Sequence, residues 1–211
     1  MIKEREKATP PKERNLTWHQ AAVTTANREK LLRQRGAVLW MTGLSGAGKS
    51  TIASALDKKL YDRGHLSYIL DGDNIRHGLN SDLAFSPVER TENIRRVGEV
   101  ATLFAEAGLL AITSFISPYR KDRQNVRNII GTERFIEIFL DVPLAVCEKR
   151  DPKSLYKKAR AGEIQDFTGI QAPYEAPVNP ELTIDTSSQG VDECAQLILD
   201  YLVENNTLLD A

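Results

Sequence analysis

Gly43-Leu44-Ser45-Gly46-Ala47-Gly48-Lys49-Ser50 follows the apolar run Ala37-Val38-Leu39-Trp40-Met41-Thr42 and precedes a helical period carried by Ile52, Leu56 and Leu60. Its spacing is G-x-x-x-x-G-K-[ST]. In that pattern glycines let main-chain N–H groups turn inward around a phosphate, and the following helix aims its positive end at the same anion. With glycine near about 7% of residues, a chain of this length shows the pattern by chance in roughly 1% of cases, and the strand–loop–helix setting lowers that further. Lys49 is placed to reach the β- and γ-phosphate oxygens of ATP, and the Ser50 hydroxyl to ligate Mg²⁺. Gly43, Ser45, Gly46, Ala47, Gly48, Lys49 and Ser50 are therefore expected to bind ATP.

Outward from this loop, short apolar runs alternate with longer helical periods. Strands are expected at Ala37–Thr42, Leu66–Leu70, Leu109–Phe115, Phe135–Leu140 and Leu182–Ile184. Helices are expected at about Lys49–Arg63, from Pro87 to about Ala107, and at Arg120–Ile130, Leu144–Arg150, Leu155–Arg160 and Val191–Val203. Thr25–Arg35 has the character of a short helix ended by Gly36. Ser86-Pro87-Val88-Glu89 marks a helix start, with Ser86 as cap, Pro87 in the first turn and Glu89 closing a capping box. Ile164 to Pro180 is expected to be a structured loop. The alternation predicts an α/β fold of phosphate-loop (P-loop NTPase) type, a parallel sheet of about five strands with helices on both faces and a lid. The division expected is an N-terminal extension over residues 1–31, partly flexible, a kinase domain over 32–205 and a C-terminal tail over 206–211.

Composition narrows the classes of function. The 211 residues carry a net charge of -1 with 27% charged and 41% hydrophobic residues, so the whole chain has no nucleic-acid footprint. No apolar run approaches the ~20 residues of a membrane helix. Cys147 and Cys194 lack metal-site spacing and read as small buried hydrophobes. A polar Met1 end without a hydrophobic stretch, together with so few cysteines, leads to the expectation of a reducing cytoplasm.

A second cluster points to an acceptor. Asp71 and Asp73 flank Gly72 at the end of the second strand, and strand alternation would put both on one side. One carboxylate there can serve Mg²⁺ or accept a proton, and the other can orient an acceptor hydroxyl. Arg76 and Arg90 flank the apolar spot Leu83-Ala84-Phe85, which suits an acceptor that is both aromatic and anionic. Arg150-Asp151-Pro152-Lys153 and the stretch to Phe167 are expected to form a lid that excludes water. No guanine-reading Asn-Lys-x-Asp is present, so a small-molecule kinase is favoured. A kinase of another metabolite and a nucleotide-binding regulatory subunit are the alternatives.

Several segments together carry a family resemblance. They are Gly43 to Thr51, Leu70-Asp71-Gly72-Asp73-Asn74-Ile75-Arg76, Glu92-Asn93-Ile94-Arg95-Arg96, Ser114-Phe115-Ile116-Ser117-Pro118-Tyr119-Arg120 and Arg150-Asp151-Pro152-Lys153. Leu155-Tyr156-Lys157-Lys158-Ala159-Arg160, Phe167-Thr168-Gly169-Ile170 and Ala172-Pro173-Tyr174-Glu175 complete the set. From about Arg35 to the last helix the chain resembles adenylylsulfate kinases, which phosphorylate the ribose 3′-hydroxyl of adenosine 5′-phosphosulfate (APS). The resemblance implies that Thr51 joins the ATP-binding residues. It also implies that Asp73, Arg76, Arg90, Asn93, Lys153 and the main chain of Ile116 and Ser117 hold the phosphosulfate nucleotide. Phe85 and Phe167 would clasp its adenine. Lys49 and Asp71 would be catalytic, with Asp71 and Ser50 serving Mg²⁺. The family also names Ser117 as a phosphoserine intermediate, which adds it to the catalytic set. Direct in-line transfer makes a binding-loop role the reading adopted here. A homodimer and an association with ATP sulfurylase are further family expectations. Ala84 stands where a glycine is common, and His77 is expected at the surface.

Overall fold

The computed structural model describes residues 16–17 and 19–209. Residues 1–15 and 18 of the expected, partly flexible extension over residues 1–31 lie outside the described residues. In chain order the elements are α1 (Thr25–Leu32), β1 (Ala37–Thr42), α2 (Lys49–Asp62), β2 (Ser67–Asp71), α3 (Gly72–Arg76), α4 (Pro87–Glu106) and β3 (Leu110–Ser114). They continue with α5 (Arg120–Ile130), β4 (Phe135–Leu140), α6 (Leu144–Arg150), α7 (Leu155–Arg160), β5 (Leu182–Ile184) and α8 (Val191–Glu204).

The five strands form one all-parallel sheet in the order β2-β3-β1-β4-β5. β1 lies at its centre, pairing Val38 with Ala111 on one side and with Phe135 on the other. All six residues of β1 are buried, as a strand covered on both faces requires. Alternation divides its side chains between two cores. Ala37, Leu39 and Met41 join the core with Ile52, Leu56 and Leu60 of α2 and Ile198 and Leu202 of α8. Val38 and Trp40 join Ile94, Val97 and Ala101 of α4 with Val126 and Ile130 of α5. Gly98 lets α4 and α5 approach, because a Cβ there would lie 2.9 Å from Val126 Cγ2. Truncating a core residue such as Leu56 to alanine is worth about 2–5 kcal/mol.

The Ser86 capping box forms as read from the sequence, with Glu89 reaching back to the Ser86 amide at 3.2 Å. Residues 206–209, set apart as a tail, pack back onto the domain. Leu208 bridges to Gln34, and Thr207 and Leu208 are buried.

One expectation needs correction. Asp71 and Asp73 are not alternating residues of one strand. Asp71 ends β2 and caps α3, its Oδ1 accepting from Asp73 N at 3.0 Å. The chain turns helical at Gly72, so the period of two stops there and the two carboxylates point to different partners. At five residues, α3 is too short to show a helical period in sequence.

Candidate active site

The carboxyl ends of the parallel strands gather the polar groups at the switch in strand order, where ligands sit in such sheets. The phosphate loop leaves β1 and becomes α2 at Lys49. Gly46 adopts φ +76°, and a Cβ there would stand 2.9 Å from the Cys147 carbonyl oxygen. Glycine is thus required on both conformational and steric grounds. Lys49 Nζ folds back over the loop and donates to Gly43 O at 2.8 Å and Leu44 O at 2.7 Å. Burial pulls its pKa down to about 8, opposed in part by the negative charge of Asp71. An incoming polyphosphate would reverse that pull. Ser50 Oγ donates to Asp71 Oδ2 at 2.7 Å. This brings the residue after the phosphate lysine to the end of β2. Ala47 is fully buried, whereas Ser50 and Thr51 are exposed.

Some of the expected acceptor residues contact one another directly, Asp73 with Lys153 and Arg76 and Arg90 with the Phe85 segment, whereas Asn93 and Ser117 have other partners. Asp73 is ion-paired with Lys153, from the turn between α6 and α7. Arg76 donates to Leu83 O at 2.8 Å and Ala84 O at 3.0 Å, and its guanidinium lies 4.2 Å above the Phe85 ring. Burial, then the neighbouring Arg90, lower the Arg76 pKa. Arg90 donates to Phe85 O, to Thr168 Oγ1 and to Asp166 O, fastening the Phe85 and Phe167 segments to each other. Phe85 is 59% exposed, a ring available for stacking, whereas Phe167 is 7% exposed and packs edge-on against Tyr156 with centroids 5.0 Å apart. Asn93 is buried on α4 and accepts from Asn80 Nδ2 at 2.9 Å. Ser117 is 2% exposed and has φ +40°. Its Oγ accepts from Trp40 Nε1 at 3.2 Å, so the hydroxyl faces the core. His77 is exposed.

Other contributors escaped the sequence reading. Thr186, beyond β5, donates from Oγ1 to Ala47 O at 2.8 Å. Arg150 donates to Thr186 O at 2.6 Å and Thr186 Oγ1 at 2.9 Å, and reaches Gly46 O at 3.3 Å. Tyr156 donates to Ser45 O at 2.9 Å. Together they clamp carbonyl oxygens of the loop, while within the loop the Ala47 amide donates to Leu44 O at 3.2 Å. Arg150 and Tyr156 had a signal in the Arg150-to-Arg160 segment, but nothing in it pointed to the loop backbone, and Thr186 had no signal in the sequence.

Strand, glycine loop, lysine and helix in this sheet order define a P-loop kinase fold. A family model for adenylylsulphate kinase matches residues 35–185. An adenylyl-sulfate kinase of Clostridium acetobutylicum is 56% identical over 197 residues, spanning 93% of this chain and 98% of its own. Adenylyl-sulfate kinase 2, chloroplastic, of Arabidopsis thaliana is 53% identical over 206 residues, spanning 96% of this chain and 70% of its own. The solved APS kinase of Mycobacterium tuberculosis in complex with AMPPNP and APS superposes with a TM-score of 0.77 at 48% identity, covering 81% of this chain and 99% of that one. The chain belongs to the adenylylsulphate kinase family.

Proposed function

We propose that this protein transfers the γ-phosphoryl group of ATP to the ribose 3′-hydroxyl of APS, giving 3′-phosphoadenosine 5′-phosphosulfate (PAPS) and ADP, within sulfate activation. The observation that carries this reading is the position of Asp71. It closes the phosphate loop through Ser50 on one side and opens α3, with Asp73 and Arg76, on the other. Donor and acceptor ends therefore meet at one carboxylate. In this reading the amides of Gly43 to Ser50, with Thr51, hold the triphosphate and Lys49 bridges its β- and γ-phosphates. Arg76, Arg90, Asn93, Lys153, Asp73 and the main chain of Ile116 and Ser117 hold the phosphosulfate nucleotide. Phe85 and Phe167 frame its adenine.

In the transfer the 3′-oxygen bonds to the γ-phosphorus as the bond from phosphorus to the β–γ bridging oxygen breaks. Asp71 orients the 3′-hydroxyl and takes its proton. The Ser50 hydroxyl and the Asp71 carboxylate form a pair of hard oxygens 2.7 Å apart. Those two oxygens would hold Mg²⁺ beside the phosphates of a bound nucleotide. When bound, Mg²⁺ neutralises charge on the phosphates.

The test is a product assay with ATP, Mg²⁺ and APS on wild type and Arg76→Ala. Wild type should form PAPS, and Arg76→Ala should lose that activity while still binding ATP. Absence of PAPS from the wild type would overturn the reading.

The resemblance also supports a homodimer, an association with ATP sulfurylase and a cytoplasmic setting. Light scattering on the pure protein and co-purification with a sulfurylase test the first two. The cysteines fit a reducing compartment, since both Cys147 and Cys194 are free and buried. No helix among the described residues is long and apolar enough to cross a membrane.

A further inference from the structure

β4 reads Phe135-Ile136-Glu137-Ile138-Phe139-Leu140, with one carboxylate inside an otherwise apolar buried strand. Such a group persists only with partners. Arg123 of α5, 2% exposed, supplies one of them, its Nε meeting Glu137 Oε1 at 2.7 Å. The rest of this guanidinium is directed elsewhere. Nη1 donates to Ser117 O at 2.6 Å, and Nη2 to Glu175 O at 2.7 Å. One side chain thus ties together β4, the segment after β3 and the segment after Ala172.

Its target is strained. Ser117 has φ +40°, a conformation that a residue with a Cβ keeps only when its surroundings hold it. The preceding carbonyl is held as well, because Thr42 Oγ1 donates to Ile116 O at 2.7 Å. That uses the only hydroxyl hydrogen of Thr42, so in the 2.9 Å contact between Thr42 Oγ1 and Tyr174 Oη the tyrosine is the donor. In a trans peptide the N–H of Ser117 points opposite to the Ile116 carbonyl. The inward anchoring of Ile116 O therefore turns this amide away from Thr42.

We propose that Arg123, held by Glu137, is a positioning residue for the acceptor. It locks Ser117 in its left-handed conformation and fixes the Tyr174–Glu175 segment against it, so that the Ile116–Ser117 main chain is preset for the phosphosulfate nucleotide. The inference rests on the acceptor assignment above and adds a residue that does not itself touch substrate.

The test separates positioning from plain structural support. Arg123→Lys keeps a charge for Glu137 but lacks the fork that reaches three carbonyl and carboxylate acceptors. The double variant Arg123→Met with Glu137→Gln removes both charges, leaving neither buried alone. Both variants should bind ATP within about 3-fold of wild type, while KM for APS rises by 10-fold or more. Equal rises in the two KM values, or a folded double variant with wild-type KM for APS, would overturn the proposal. A wild type that makes no PAPS would instead overturn the functional reading.

Discussion

Ser50 Oγ and Asp71 Oδ2 lie 2.7 Å apart, joining the first turn of α2 to the last residue of β2. The bond spans 21 positions in sequence and places a carboxylate where the phosphate loop ends. Asp71→Asn keeps a side-chain oxygen to cap α3 but loses the charge and the basicity. It should leave the melting temperature nearly unchanged and lower kcat for PAPS formation by about 10²–10⁴-fold. A variant within 10-fold of wild type would remove Asp71 from the reacting centre.

The buried Lys49 ammonium makes a prediction about pH and stability. Its pKa falls from 10.5 to about 8 in the folded chain. Below pH 8 both states hold the proton, and the burial penalty is fully present. Between 8 and 10.5 the unfolded chain binds more protons, so stability rises with pH across that window. Lys49→Met removes the penalty and also the two bonds to Gly43 O and Leu44 O. At pH 7, without nucleotide, the variant should be more stable by about 1–3 kcal/mol. That margin should shrink as pH approaches 10, as read by denaturant melts of both proteins. The same variant should lose phosphoryl transfer.

Ser117 tests the route of the phosphoryl group. Its hydroxyl faces Trp40 and the residue is buried, so direct transfer needs only its main chain. Ser117→Ala should keep kcat within about 10-fold, because less than one hydrogen bond's worth of positioning is lost. It should cost about 1–3 kcal/mol of stability, because Trp40 Nε1 is left without its acceptor in the core. Loss of all turnover in a folded Ser117→Ala protein would restore the phosphoserine intermediate.

The Lys153–Asp73 ion pair is open to solvent, its side chains 59% and 65% exposed. Such pairs contribute about 0–1 kcal/mol. Lys153→Ala should therefore shift the melting temperature by no more than about 4 °C. It should nevertheless lower kcat/KM for APS by 10-fold or more, because it removes a charge from the acceptor side. A large loss of stability with unchanged kcat/KM would make the pair structural.

Much of this architecture was legible in the chain before any contact was known. The five strands, the Ser86 box and the helices α2 and α4 to α8 are written in patterns spanning a few residues, and they fold with ends within a residue or two of expectation, whereas α1 stops at Leu32, three residues short of the expected Arg35. One local feature misled. α3 hid because five residues show no period, although an aspartate directly before it was a cap signal. Asp151 likewise accepts from Tyr156 N and Lys157 N, capping α7 from outside the helix. Other features were beyond any local pattern. Glu137 in a strand had no visible partner until Arg123 and Arg127 were brought beside it. Asn80, fully buried, meets Asn93 only because the segment before α4 folds over it.

The sequence by itself determined the phosphate loop and the parallel sheet, and it supplied the residues proposed for the acceptor side. Glycine conformations, capping and hydrophobic period act between neighbours, so they need no tertiary information. Only the tertiary structure decided which of these groups act on one another. Arg150 and Thr186 meet across 36 residues, and Thr186 meets Ala47 across 139, to clamp the loop's carbonyls. Arg123 holds Ser117 and Glu175, and the Ser117 hydroxyl turns into the core. Those outcomes follow from the demand that buried polar groups find partners, and in this chain the partners come from distant segments gathered at one edge of the sheet.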